Sequence, residues 1–351
     1  MNPDWASARS RITSDPLDVL KSTAAVMASA SDVQIDMGMV NDVADQLSDR
    51  TPNQEWDASL HYRATGPDGD EQTAMWILIL DALNFCFWGQ GTNPEQRWRV
   101  EWQENLTDGY MALVAALKRG VVERQELLSA SWLANVSREG VAHLLRPAEG
   151  QETIPLFESR VQHLRELGRG LLNLRSETPA TTLITSAQGS AIALVREVIH
   201  RFPSFNDVAQ WPQASTGFAG NEVRFFKRAQ ILAGDLAGGL AGSSLGAFHD
   251  LDHLTAFADY KVPQVLRQLG ILHYSDALGS NIASRTHVPA GSRQEVEIRA
   301  GTIWGCELLR QALACRGKRV AAHELDWLLW EQGQSLPVHA EPYHLTPTVF
   351  Y

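Results

Sequence analysis

Cysteine is scarce in this chain: 351 residues hold only Cys86, Cys306 and Cys315. The number is odd and no pair has CxxC spacing, which excludes a disulfide framework and points to a reducing compartment. Long apolar runs are missing too. The longest, Ala74–Leu80, is too short to span a bilayer. The opening residues, MNPDWASARS, place no apolar stretch behind a basic flank, so no signal peptide is expected. Basic charge is also thin. Lys and Arg number 30 against 41 Asp and Glu, the net charge is −11, and no Lys/Arg-rich run occurs. Proteins that grip duplex DNA or long RNA through phosphates carry a basic patch. A cytoplasmic protein without a membrane or a stable nucleic acid complex is therefore expected. A small substrate with one phosphate stays compatible, because a few local cations suffice.

Several catalytic signatures are absent. No GxSxG elbow supports a Ser-His-Asp triad. No HExxH occurs. His249 and His253 in HDLDH could share one helix face, but no third ligand can be named, so no metal and no cofactor are expected. Gly238, Gly239, Gly242 and Gly246 follow no strand and match neither a phosphate loop nor a dinucleotide fingerprint. Cys86 lies in an apolar run and reads as a core thiol rather than a nucleophile. No internal repeat or low-complexity linker is present.

Hydrophobic residues make up 44% and tryptophans number 11, enough for a sizeable core and for aromatic-walled pockets. The periodicity is mostly helical. Pro16-Leu17 opens a helix through Met27, and Val33, Ile35, Met39, Val40, Val43 and Leu47 give a second stripe. Trp56–Tyr62 is short, amphipathic and contains His61. Glu71–Trp88 is apolar nearly all round and reads as a buried central helix interrupted by Asp81 and Asn84. Trp98–Trp102 suits a short strand. Residues 107–118 and 121–135 read as two helices divided by Gly120. Pro155–Arg175 and Thr182–Phe202 each read as one helix. Ser292–Arg299 alternates and suggests an extended start to a helix over Thr302–Ala314. One all-α, mainly helical globular unit with a few short strands follows, with residues 1–55 as a helical N-terminal extension.

Three stretches carry polar groups suited to chemistry. Asn221–Leu240 puts Lys227 and Arg228 beside an apolar face. They could hold a phosphate, or they could be surface cations with buried stems. Ala321–Glu331 places Asp326, Trp327 and Glu331 within one arc of about 140°. Two acids beside an indole could floor a site for a planar donor, or could simply face solvent. Leu254–Leu266, LTAFADYKVPQVL, sets Asp259 among Phe257, Tyr260 and Lys261. Pro263 suggests a helix starting there, with Val262 extended before it. Asp259 would then be a carboxylate of tunable pKa in a partly dry segment, or an ordinary cap or turn residue.

Several of these stretches together resemble one family, the queuosine salvage proteins or queuosine 5′-phosphate N-glycosylases. The matching pieces are DALNFCFW at Asp81–Trp88, FPSFNDVA at Phe202–Ala209 and FFKRAQILAGD at Phe225–Asp235. They continue with LTAFADYKVPQVLRQLG at Leu254–Gly270, RQEVEIRAGTIWGCELLR at Arg293–Arg310 and ELDWLLWE at Glu324–Glu331. They occur in family order from about residue 56 onward. The resemblance implies an all-helical fold similar in part to helix-hairpin-helix DNA glycosylases. It implies hydrolysis of queuosine 5′-monophosphate to queuine and ribose 5-phosphate, for queuine salvage in tRNA modification. It also implies Asp259 as the catalytic aspartate, with Phe257, His61, Asp326, Trp327 and Glu331 around the base. Trp327 and Glu331 stand where some relatives carry Tyr and Asp, a swap that keeps a π-face and an acid. Lys227 and Arg228 become candidates for the 5′-phosphate, and Lys261 a weaker one. The competing class is a non-catalytic module that binds a 7-deazaguanine or modified tRNA. The acidic balance counts against that module on intact tRNA and against a glycosylase acting on duplex DNA.

Overall fold

The computed structural model describes residues 3–10, 12, 14–49, 60–89, 97–123, 126–211, 222–336 and 340–351. Most of them are helical. The strands named among them form three two-stranded antiparallel pairs, so the mainly helical expectation holds. Most of the Trp56–Tyr62 segment lies outside the described residues. The chain divides into two compact units: Met1–Gln54, Asp207–Lys227 and Asp250–Thr346 in one, and Glu55–Asn206, Arg228–His249 and Pro347–Tyr351 in the other.

The first unit is built on the long helix Arg293–Cys315, buried along nearly its whole length. The extended start expected at Ser292–Arg299 is not there. The Ser292 side chain accepts from the Glu295 N–H and caps the helix, so it begins at once. Val33 and Ile35, read as helical, instead form the strand Val33–Ile35 paired with Leu272–Tyr274. Their spacing of two, with Gln34 exposed between them, is the period of a strand. The buried Glu297 carboxylate accepts the N–H groups of Ser31, Asp32 and Val33 and pins this strand to the long helix. Gly301 lets it approach, since a Cβ there would sit 2.8 Å from Val33 Cγ1. Asp36 then caps the helix Met37–Leu47 through the N–H groups of Gly38 and Met39. Helices Lys261–Gln268 and Ala322–Gln334 complete the part that bears the candidate site.

The second unit is centred on the buried helix Gly69–Leu83. It stops short of the expected Trp88. The buried Arg160 guanidinium donates to the carbonyls of Leu83, Phe85 and Cys86, which satisfies main-chain acceptors just past the helix end. Cys86 is buried, as expected of a core thiol, but sits in this turn at φ 39°. Gly120 does not stop a helix; Gly109–Val122 runs through it. Burial of Leu113 and Leu117 outweighs the cost of a mid-helix glycine, about 1 kcal/mol. Thr182–Phe202 is two helices, Pro179–Ser186 and Ala191–Arg201. Gln188 and Gly189 break it at positive φ, and Ser190 caps the second piece. Trp98–Trp102 holds the expected strand as Arg99–Trp102, paired with Asn105–Asp108.

Candidate active site

Asp259 lies just before the helix Lys261–Gln268 and is buried. Its Oδ1 accepts the N–H groups of Lys261 and Val262, both at 2.8 Å. The helix therefore starts two residues earlier than Pro263 alone suggested, and Val262 is helical rather than extended. Pro263 falls in the first turn, where a missing N–H costs no helical bond. The Asp259 bonds to Lys261 and Val262 outweigh the extended bias of a residue before proline. Both sequence readings of Asp259 thus meet in one residue. One oxygen caps the helix, while Oδ2 has no hydrogen-bond partner among the described residues. Burial raises the Asp259 pKa above the ordinary value. Lys227, the two N–H groups and Lys261 pull it back.

Phe257 is buried two residues upstream, and its N–H donates to Asp326 Oδ1 at 2.8 Å. Asp326 sits on the helix Ala322–Gln334 and is also buried. Burial, and then the Asp259 charge, push the Asp326 pKa well above the usual carboxylate range. Two carboxyls in mutual electrostatic reach cannot both ionise freely. Asp259 has Lys227, Lys261 and two N–H donors to favour its charged form, and Asp326 has Lys227 and one N–H, so Asp326 is held the further above the ordinary carboxylate value. Trp327, next along the helix, is half-buried, and the His323 ring meets it edge-on with centroids 5.7 Å apart. Glu331, one turn further on, is exposed.

The candidate cations divide. Lys227 is buried at the start of the helix Lys227–Gly239 and acts electrostatically on both Asp259 and Asp326. Arg228 belongs to the other unit. Its guanidinium donates to the carbonyls of Asp81, Ala82 and Ser204 and lies over the Phe85 and Phe205 rings. Neither residue is a solvated surface cation. The Lys261 ammonium donates to the Gly333 carbonyl at 3.0 Å and so holds the last turn of the Ala322–Gln334 helix.

His61 also lies in the other unit. Its Nε2 shares a hydrogen bond with the Tyr110 hydroxyl at 2.8 Å, and its ring meets Trp76 edge-on. Burial, then the charges of Asp235 and Asp81, push the Tyr110 pKa well up, so the hydroxyl keeps its proton at neutral pH.

Of the residues singled out in the sequence, Phe257, Asp259, Asp326 and Lys227 are thus tied to one another within one unit by hydrogen bonds or mutual charge effects. The sequence reading missed Asp207 and Arg299, a buried ion pair beside them. Both stand in motifs quoted above; Asp207 is the single charge of FPSFNDVA, and that mismatch was the available signal, whereas Arg299 follows Glu295 and Glu297 in a charged run that hides it.

A mainly helical protein thus holds two buried carboxyls in electrostatic reach, Asp259 and Asp326, with the buried Lys227 alongside. Comparison with known proteins gives the family. Residues 60–351 match the family model described as queuosine salvage protein. A relative from Sphaerobacter thermophilus, named queuosine 5′-phosphate N-glycosylase/hydrolase, is 48% identical over 96% of this chain and 98% of its own length. Relatives of the same name from Bos taurus and Nematostella vectensis are each 33% identical, covering 93% and 80% of this chain and 96% and 82% of their own lengths. The chain belongs to the queuosine salvage protein family.

Proposed function

We propose that this protein hydrolyses the N-glycosidic bond of queuosine 5′-phosphate, releasing queuine and ribose 5-phosphate. The names of its relatives support the substrate, and the placement of Asp259 supports the chemistry. Breaking a ribosyl C–N bond builds positive charge on C1′ and the ring oxygen. A carboxylate fixed by two N–H groups through Oδ1, with Oδ2 unengaged, is held ready to stabilise that charge. Water then adds to C1′, its proton is lost, and the base leaves with the bond electrons and a proton. In this reading Asp259 serves the sugar side and can orient the incoming water.

Phe257 offers a π-face to the flat deazaguanine, and the half-buried Trp327 offers a second. Asp326 has one oxygen on the Phe257 amide and the other for the base. The exposed Glu331 suits the amine and diol arm of queuine, which needs an acceptor and is compatible with water. Lys227 is the cation assigned to the 5′-phosphate, whereas Arg228 is committed to main-chain carbonyls. The free state of all three cysteines suits a reducing, cytoplasmic setting.

A product assay tests this reading. Purified protein with queuosine 5′-phosphate should release queuine and ribose 5-phosphate in equal amounts. Binding of the nucleotide without release would make the protein a carrier.

A further inference from the structure

The ion pair between Asp207 and Arg299 belongs to none of the roles above. Both side chains are buried, at 1% and 2% exposure. Arg299, on the long helix, meets the two Asp207 oxygens at 2.9 and 2.5 Å. Its Nε donates to the Ala258 carbonyl at 3.3 Å, the peptide group immediately before Asp259. Asp207 in turn accepts the Lys227 N–H at 3.2 Å through Oδ2. The Asp207 carbonyl accepts the N–H groups of Phe225 and Phe226, both at 3.1 Å. Phe226 has φ 49°, a region a bulky residue enters only when its surroundings hold it there. The Phe225 ring lies 3.9 Å from the guanidinium carbon, and Glu295 flanks it at 3.6 Å.

We propose that the Arg299–Asp207 pair is a positioning device for the reaction, fixing the Asp259 segment and the Lys227 turn at one separation. The inference rests on reading Asp259 as the carboxylate at the anomeric carbon. Buried ion pairs contribute little net stability compared with apolar packing, so what this pair adds is geometry. The fork of an arginine matters because one side chain must meet a carboxylate with two nitrogens and a carbonyl with a third. A lysine cannot do all three. The separation it sets decides how strongly Lys227 acts on Asp259. Among the described residues, Lys261 also acts on Asp259, and Asp326 and the Cys306 thiol feel its charge.

The test uses Arg299→Lys and the isosteric Asp207→Asn in the full chain. Queuine release gives kcat and KM, thermal melts give folding, and carboxyl carbon NMR titration reads Asp259, assigned by its loss in Asp259→Asn. The expected result is a kcat lowered about tenfold or more with KM within about threefold. The Asp259 titration should move upward by about half a pH unit or more as the Lys227 turn is released. Melting should fall, because one partner of a buried pair is removed, with the variants still folded at the assay temperature and kcat lost beyond what the folded fraction explains. An unchanged kcat, or a loss that only follows the folded fraction with the titration unmoved, overturns the proposal. Failure of both variants to fold overturns it as well and assigns the pair to the fold. If the parent protein releases no queuine, the functional reading fails, while the titration still reads the coupling on its own.

Discussion

Asp326 Oδ1 accepts the backbone N–H of Phe257 at 2.8 Å, across 69 residues of sequence. This bond joins the segment that carries Asp259 to the helix that carries Trp327 and Glu331. Replacing Asp326 with Ala leaves that N–H unpaired in a buried setting, at a cost of about 1–3 kcal/mol. Asp326→Ala should therefore lower kcat/KM for queuosine 5′-phosphate by about tenfold to a hundredfold. Asp326→Asn, which keeps the acceptor, should lose less. Steady-state kinetics of the two variants side by side check the order.

The charge state of Asp326 gives a stability prediction. Its pKa is raised well above the ordinary carboxylate value, first by burial and then by Asp259. A carboxyl that binds its proton more tightly when folded contributes fully below its unfolded pKa. That contribution is lost as pH rises through the folded value. Asp326→Asn removes this liability, so it should melt a few degrees above the parent protein at about pH 8, and the gain should shrink toward about pH 4. A variant less stable than the parent at every pH would contradict the assignment.

Two buried histidines carry the opposite sign. Burial lowers His163 and His344 to about 3 from 6.5. Each is neutral when folded, so its contribution is present above 6.5 and is lost as pH falls toward 3. Urea midpoints should fall across that window. His344→Gln should flatten the fall, and an equally steep curve in the variant would count against the histidine as its source.

The fold was legible in the sequence where apolar period and caps agree. The run Glu71–Trp88, as far as Leu83, the stripe before Leu172 and the Ala321–Glu331 segment read correctly as helices. It was illegible where a distant partner decides. Val33 and Ile35 fit a helical stripe until Leu272 and Tyr274 pair with that stretch. Pro263 looked like a helix start because the Asp259 bonds that begin the helix two residues earlier depend on a side-chain orientation that spacing does not encode. For the site, Asp259 and Phe257 could be named from local sequence and resemblance. Arg228 could not be separated from Lys227, since adjacent cations look alike until one is seen on three carbonyls. Asp207 and Arg299 were hidden for a related reason: they are 92 residues apart, and only folding pairs them.

That separation of the two cations is itself testable. Lys227→Met should lower kcat/KM for both substrates, because its pull on Asp259 is lost, and should lower it about tenfold further for queuosine 5′-phosphate than for the free nucleoside. Arg228→Ala should instead destabilise the protein by about 2 kcal/mol or more, because carbonyls inside the second unit lose their donor. It should leave the preference for the phosphate unchanged. A lost preference in Arg228→Ala with an intact one in Lys227→Met would reverse the assignment.

The central claim is that Asp259 carries the reaction. Asp259→Asn keeps an oxygen to accept the N–H groups of Lys261 and Val262, so the helix start and the fold should survive, and only the negative charge is removed. Queuine release from queuosine 5′-phosphate by the folded variant should fall at least about a thousandfold. Retention of most of the parent activity by a folded Asp259→Asn would contradict the account.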